Sequence, residues 1–499
     1  MQNAARSNDR AIPAFSGVTI QAIARTLAAQ PPTPPHPAMN EFDAFEIKMR
    51  AAGMGDAAVR AFERNYRALV RDESGMIPEE SISPVESIAS HRDIRDTPAD
   101  PALPGQTVVI KLNGGLGTSM GLQGPKSLLP VRDGLTFLDL IVRQILEMRR
   151  GDGADVRLLL MNSFSTSAAT LAHLERHRSE GLADAKDVEL MQNQIPKVDA
   201  ATLRPAEWPA DPALEWCPPG HGDLFPALAG SGWLDRLLEA GVRYAFVSNS
   251  DNLGAVPDPA LLSHFAASGA PFLMEATRRT AADRKGGHLA VRKSDDRLLL
   301  REVAQCPDAD TGAFQDIDRH RYFNTNSIWL RLDALRDRLA ADGGVLPLPM
   351  IRNRKTLDPR DPGSPAVYQL ETAMGAAIGC FEGAAAIEVP RSRFAPVKTT
   401  GDLLALRSDA YEILADGSVA LHPARNGRPP VIRLSGGYAK IDALESLGVP
   451  GLRECASLEI DGPVTFEDGV RLFGDVKIKA TSPGVVAAGD YRDEVIEFS

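Results

Sequence analysis

The sequence predicts an α/β fold with a mixed, mainly parallel sheet, followed by a C-terminal β-helix. Three observations predict it. Between about residues 105 and 400, short apolar runs alternate with stretches of helical periodicity, the pattern of strands joined by crossover helices. Polar clusters follow the strand ends, where such sheets bind ligands: "NGGLG" after "VVIKL", "NSFS" after "LLLM", "NSDN" after "YAFV". Near the C-terminus, Leu458, Val464, Val470 and Val476 recur every six positions, as do Ile460, Phe466, Leu472 and Ile478. A six-residue period fits stacked coils, each side sending two side chains inward, better than a set of hairpins.

Taken in order, residues 1–39 are expected to form a mobile N-terminal segment. It is polar at first, then "VTIQAIARTLAAQ" has the pattern of a short amphipathic helix, and "QPPTPPHPAM" is a stiff proline-rich linker. Residues 40–104 form a helical region, because "EFDAFEIKMRAAGMGDAAVRAFERNYRALV" repeats apolar residues at helical spacing. Asp96 to Pro104 reads as a Pro/Asp-rich boundary. Residues 105–410 are expected to form the α/β domain. There "TVVIKL", "VRLLLMNS", "RYAFVSNS", "PFLMEAT" and "NSIWLRL" read as strands. "LTFLDLIVRQILEMRR", "SAATLAHLERHRS" and "PALLSHFAAS" read as helices. Residues 411–499 form the β-helix domain.

Composition narrows the function classes. A chain of 499 residues exceeds one ordinary core. A net charge of −11 disfavours non-specific binding to nucleic acid, although a local basic pocket could still hold phosphates. Cys217, Cys306, Cys380 and Cys455 lie far apart without CxxC spacing, so a reducing, cytoplasmic setting and no structural zinc are expected. No run of about 18 apolar residues suggests a membrane span, and no secretory leader pattern is visible.

The chemistry concentrates in "VVIKLNGGLGTSMGLQGPKSLLPV". A strand followed by bare glycine backbone is built to approach an anion. The loop is no P-loop, because Pro125 separates Gly124 from Lys126. It is no dinucleotide fingerprint either, because Met120 occupies the last glycine position counted from Gly115. Lys126, fixed between Pro125 and Ser127, is placed to meet a phosphate as a point charge. A tight turn with an exposed lysine beside it is the plainer alternative.

These residues carry a resemblance. "KLNGGLGTSMG", "GPKS", "GLTFLDLIVRQI", "QNQIPKV", "PPGHGD", "SNSDNLGA", "RKGGHLA", "REVAQCP", "FNTNSIWL", "QLETAMGAAI" and "VPRSRFAPVKTTGDLL" follow one another over about 105–410. Together they resemble the eukaryotic-type UTP–glucose-1-phosphate uridylyltransferases, or UDP-glucose pyrophosphorylases. The N-terminal hundred residues match poorly. The resemblance implies a Rossmann-like nucleotidyltransferase domain with a β-helix tail. It also implies reversible, Mg²⁺-dependent conversion of UTP and glucose 1-phosphate to UDP-glucose and pyrophosphate. In that reaction a sugar-phosphate oxygen attacks the α-phosphorus in line. The nucleophile is already an anion, so the enzyme must position two repelling anions and stabilise spreading charge. Two rivals stay open: a UTP-dependent enzyme for galactose 1-phosphate, N-acetylhexosamine phosphate or several sugar phosphates, and a non-catalytic UDP-sugar-binding regulator.

Site roles follow from the matched motifs. Leu112, Gly114, Gly115 and Gly117 would hold the nucleotide, and Lys126 and Lys398 would act at the phosphates. Gln192 would read uracil, since an amide both donates and accepts, as the imide edge requires. Gly220 and Gly222 would let backbone approach the ligand, with His221 bonding nucleotide or sugar phosphate rather than acting as a base. Asn249, Gly287, Glu302, Asn324 and Asn326 would bind the sugar; Asn324 and Asn326 point the same way if their segment is extended. Asp251 is either a helix cap or a Mg²⁺ ligand, and the resemblance favours the metal. Lys285 is a further candidate phosphate contact, while Arg391 and Arg393 pair equally well with internal acids or with substrate. Leu122–Gln123 and Ser327 depart from the family pattern and leave room for an altered sugar preference. A homo-oligomer assembled through the C-terminal coils is a further expectation, because a coil end exposes strands that need covering.

Overall fold

A computed structural model describes residues 41–499 except 153, 154, 183, 185 and 186. The expected N-terminal helix and the proline-rich linker lie outside the described residues. At the centre runs the strand Thr107–Asn113, buried along its length except at half-buried Leu112. Its apolar residues suit both faces of a covered sheet. Val109 points into one buried cluster with helix Phe137–Asp152, and Val108 and Ile110 point into the other with helices Leu224–Gly230 and Leu332–Ala341.

Strands Arg157–Asn162 and Tyr244–Asn249 flank the central strand, both parallel to it. Glu189–Met191 extends the sheet in parallel beyond Arg157–Asn162. On the other side Tyr322–Arg331 runs antiparallel between Tyr244–Asn249 and Phe272–Arg278. Parallel pairing then resumes with Ala385–Glu388 and Ala89–Ser90. The sheet is thus mixed and mainly parallel along this path.

Tyr322–Arg331 does not alternate as a plain strand. Its pairing with Phe272–Arg278 slips between Glu275 and Ala276, and Asn326 sits at φ 59°. The expectation that Asn324 and Asn326 point the same way required an extended segment, and that condition is not met: Thr325 and Asn326 are left unpaired and the positive φ at Asn326 breaks the two-residue period.

Helices Asp43–Ala51 and Asp56–Val70 pack Phe45, Phe62 and Tyr66 against Ile195, Val198, Cys217 and Leu370. Farther on, Ile82–Pro84 adds an antiparallel strand to His288–Arg292, so this region contributes strands as well as helices.

At the C-terminus, Gly451–Asp461 pairs in parallel with Val470–Ala480. Leu458 lies beside Val476 and Ile460 beside Ile478, an offset of 18 residues. Val464–Phe466 likewise pairs in parallel with Gly484–Val486. All eight residues of the six-fold pattern are buried, and they share one cluster with a face of the main sheet.

Candidate functional site

The site is built at the carboxyl ends of the three parallel strands, where Leu112 pairs with Asn249 and Asn113 with Asn162. Buried amides lock this edge. Asn113 Nδ2 donates to Asn162 Oδ1 at 2.7 Å and to Thr170 Oγ1 at 3.0 Å, and Asn162 Nδ2 donates to Glu189 Oε1 at 2.8 Å.

The glycine loop follows. The Gly114 carbonyl accepts from Ser163 Oγ at 2.9 Å. A β-carbon on Gly114 would lie 2.7 Å from Gln192 Oε1, so that a side chain there must displace the Gln192 amide, whereas one on Gly115 would meet nothing within 4 Å among the described residues. A β-carbon on Gly117 would collide with Leu122. Lys126 N donates back to the Gly115 carbonyl at 3.3 Å, and Leu116 bridges to Pro125. The loop thereby closes on itself and sets Lys126 at its base.

Lys126 Nζ lies 2.7 Å from Asp251 Oδ2, with 18% and 17% of the side chains exposed. The other carboxylate oxygen, Oδ1, is buried and has no hydrogen-bond partner among the described residues. A buried charged oxygen is costly to leave unpaired, so it marks a place where a cation fits. The helix-cap alternative for Asp251 is not realised: Asp258 caps the next helix, Pro259–Ser268, accepting from Ala260 N and Leu261 N.

Gln192 is held beside Gly114. Its backbone N donates to Asn162 O at 2.7 Å and its Nε2 donates to Gly220 O at 3.0 Å. Gly220 and Gly222 are needed for a different close approach from the one expected. A β-carbon on Gly220, at φ 79°, would lie 2.5 Å from the Thr372 carbonyl, and one on Gly222 would also strike Thr372. The bare backbone here admits the neighbouring chain.

That contact orients His221. Its Nδ1 accepts from Met374 N at 3.1 Å, so the ring proton sits on Nε2. Burial pushes its pKa down to about 4, which keeps it a neutral donor. Neighbouring Asp223 is pushed up to about 7 by burial, although Asn193 N donates to it at 2.7 Å.

The five expected sugar residues converge. Asn326 Nδ2 donates to Asn249 Oδ1 at 2.8 Å, and Asn326 N donates to Asn324 Oδ1 at 2.9 Å. Asn324 N donates to the Gly287 carbonyl at 3.2 Å, and its side chain bonds Glu302. A β-carbon on Gly287 would lie 2.5 Å from Glu302 Oε2. Asn326 Oδ1 is buried and has no partner among the described residues, an acceptor available to a ligand hydroxyl. Burial raises the Glu302 carboxyl above its ordinary range, against the pull of Asn324 and the Lys398 charge.

Lys398 is exposed on the rim of a cleft of about 720 Å³ that Lys285, Phe323 and Phe394 also line. Its Nζ lies 5.8 Å from the centre of the Phe394 ring. Its backbone N donates to Asp402 Oδ2 at 2.9 Å, the carboxylate that also completes the capping box of helix Thr400–Arg407. Arg391 and Arg393 pair internally. Arg391 grips Asp283 at 2.8 and 2.9 Å, and buried Arg393 grips Glu275 at 2.7 and 2.8 Å.

Two residues of the frame were not singled out from the sequence. Lys111 is fully buried in the central strand; Nζ donates to Ser248 Oγ at 2.8 Å and to Ala255 O at 2.7 Å. Burial, then the Arg393 charge, push its pKa down to about 7. A lysine inside an otherwise apolar strand was the available signal. Asn252 clamps the loop of Lys398: Nδ2 donates to Arg393 O at 3.0 Å and Oδ1 accepts from Ala395 N at 3.1 Å. No sequence signal separates it from a turn asparagine.

Known proteins share this architecture. A family model described as UTP–glucose-1-phosphate uridylyltransferase matches residues 59–472. The UTP–glucose-1-phosphate uridylyltransferase of Solanum tuberosum is 42% identical over 382 residues, 75% of this chain and 77% of that protein. The Saccharomyces cerevisiae protein of the same name is 42% identical over 396 residues, 79% of this chain and 78% of its own. A point mutant of Leishmania major UDP-glucose pyrophosphorylase, solved in complex with UDP-glucose, superposes with TM-score 0.87 at 46% identity, covering 92% of this chain and 100% of that one. The chain belongs to the UTP–glucose-1-phosphate uridylyltransferase family.

Proposed function

We propose that this chain transfers the uridylyl group of UTP to glucose 1-phosphate, releasing pyrophosphate and forming UDP-glucose, in either direction. Family membership supports the reaction class. The observation that carries the reading is the meeting of the glycine loop, the Lys126–Asp251 pair and the Asn249–Asn326–Asn324–Glu302 cluster at one sheet edge. On this assignment Gly114 to Gly117 and Gln192 hold the uridine end of UTP. Lys126 and Lys398 bring positive charge to the transferring and leaving phosphates. His221 donates from neutral Nε2, and the asparagine cluster aligns the sugar so that its phosphate oxygen lies in line with the α-phosphorus.

Mg²⁺ is the cofactor we assign. The unpaired, buried Asp251 Oδ1 fits a hard cation that takes one carboxylate and fills its remaining positions with phosphate oxygens and water. When bound, the ion neutralises triphosphate charge.

We further read the C-terminal stack as a β-helix, with residues 40–104, 105–410 and 411–499 as successive units. Assembly into a homo-oligomer through the coils and a cytoplasmic location are proposals of the same kind. Among the described residues, no helix is long and apolar enough to cross a membrane.

The test is pyrophosphate release with Mg²⁺, UTP and a panel of sugar 1-phosphates. Glucose 1-phosphate should exceed galactose 1-phosphate by about tenfold or more in kcat/KM. No release with any sugar would leave only a UDP-sugar-binding protein, and equal release with several would leave a broad-specificity enzyme.

A further inference from the structure

Behind the glycine loop, the start of helix Phe137–Asp152 meets helix Ser167–Leu174 and the helical turn Glu175–Glu180 that continues it. His173 and His177 stand four residues apart on this rod, so their rings face the same way. Both Nε2 atoms converge on one oxygen, Asp139 Oδ1, at 2.9 and 2.7 Å. The Asp139 side chain is 1% exposed, His177 6% and His173 11%. The three candidate ligand atoms all lie within 4.8 Å of one another.

We propose that Asp139, His173 and His177 form a binding site for Zn²⁺, separate from the Asp251 site, with water in the fourth position. Capping does not explain the histidines. Thr136 N and Thr136 Oγ1 both donate to Asp139 Oδ2 at 2.8 Å, which already accounts for a carboxylate in the first helical turn. The second shell also has the required character. Glu180 Oε1 lies 3.2 Å from His177 Nδ1 without a hydrogen bond formed between them, near enough to become the carboxylate–imidazole pairing that orients a metal-bound ring. Tetrahedral ligands at zinc distances sit about 3.3 Å apart, so the two Nε2–Oδ1 contacts, at 2.9 and 2.7 Å, need to open by about half an ångström. Ion binding would replace the protons now shared between the rings and Asp139. Arg176, whose guanidinium lies 3.5 Å from Asp139 Oδ2, is 54% exposed and can withdraw to solvent.

Two imidazoles and one carboxylate suit Zn²⁺ and not an all-oxygen ion such as Mg²⁺. The expectation of no structural zinc rested on the cysteines, and this site uses none. Its role would be a staple. Thr170, three residues before His173, accepts from Asn113 at the end of the central strand, so the ion would hold that helix beneath the glycine loop.

The test is titration of the EDTA-stripped full chain with Co²⁺. One equivalent should bind with the visible bands of a tetrahedral ion. Zn²⁺ should displace it and millimolar Mg²⁺ should not. Zn²⁺ should also raise Tm and protect His173 from diethylpyrocarbonate, mapped by mass spectrometry. His173→Gln should weaken Co²⁺ binding at least about tenfold with unchanged far-UV circular dichroism. Absence of the tetrahedral bands in the native chain, or equal binding by His173→Gln, overturns the proposal. Should that variant not fold, the protection measurement on the native chain decides, and unprotected His173 counts against the site.

Discussion

Gly287→Ala tests the sugar end of the site with one methyl group. The new β-carbon would sit 2.5 Å from Glu302 Oε2, 2.7 Å from Cδ and 2.8 Å from Oε1, whereas ordinary contact begins at 3.4 Å. The carboxylate would have to retreat by about 0.6–0.9 Å to restore normal contact. It is poorly placed to do so. Glu302 caps the turn Val303–Gln305, its side chain accepting from Gln305 N while Glu302 N donates to the Gln305 carboxamide at 3.0 Å. Asn324 holds it from the other side. Overpacking of this kind costs about 1–3 kcal/mol, and misplacing a substrate by about 1 Å costs up to about 100-fold in rate. Gly287 is not among the positive-φ glycines, so the effect is steric and not a backbone penalty. Steady-state kinetics with each substrate varied should show kcat/KM for glucose 1-phosphate falling about 10–100-fold. The KM for UTP should stay within about twofold. Adding Glu302→Asp, one methylene shorter, should recover part of the loss. An equal loss toward UTP, or no loss at all, would refute the assignment of this cluster to the sugar.

Other expectations follow from the same geometry. Lys126→Ala and Lys398→Ala should lower kcat by about 10²–10³, and a normal kcat in either variant removes that lysine from the chemistry. Gly114→Ala should push on Gln192, raise the KM for UTP and narrow the preference for UTP over CTP; unchanged discrimination would reject Gln192 as the base reader. Gly115→Ala enters open space, so Tm should be native while UTP binding weakens, and unaffected binding would mean the nucleotide does not approach there. His221 and Asp223 should give opposite pH slopes to stability. The depressed histidine contributes stability above its ordinary 6.5 that is lost as pH falls through about 4. The raised carboxyl contributes stability below its ordinary 3.8 that is lost as pH rises through about 7. Asp223→Asn should therefore make the urea midpoint climb more steeply from pH 4 to 6.5 than it does in the native chain, and identical pH profiles for the two would show that the Asp223 carboxyl is not raised.

Much of this site was legible because its signals are local. Strands buried on both faces are continuous apolar runs, as in "TVVIKL", and the residues after them mark the binding edge. The six-residue period survived because each of its positions meets the same interior. What escaped depends on partners far along the chain. Lys126 and Asp251 are 125 residues apart, and no spacing rule joins them. The antiparallel course of Tyr322–Arg331 is invisible because antiparallel and parallel strands bury the same residue types at the same period. The bulge at Asn326 depends on a residue that tolerates positive φ, and asparagine at a turn does so equally well. His173 and His177 were not singled out, because Asp139, which both rings meet, belongs to another helix.

The frame explains why the Lys126–Asp251 pair can serve a substrate rather than merely hold the fold. Asp251 and Lys398 are carried by two loops that buried polar atoms fasten together. Lys111 Nζ donates to Ala255 O, Arg393 donates to Val256 O at 2.9 Å, Asn252 spans to Arg393 and Ala395, and Val397 N donates to Asp251 O at 3.1 Å. Those at buried Ala255, Arg393 and Val397 satisfy backbone groups with little access to water, so loosening one leaves a costly orphan. Lys126 comes from outside this unit, and among the described residues its ammonium has a single hydrogen bond, to Asp251. An anion can therefore draw Lys126 away without displacing Asp251 or the Lys398 loop. An unpaired Asp251 would repel an arriving triphosphate, and a lysine 2.7 Å away cancels that charge beforehand. On this argument Lys126→Ala should slow UTP association most at low ionic strength, where an uncancelled carboxylate acts over the longest range. An on-rate with the same salt dependence as the native chain would show that the pair is only structural.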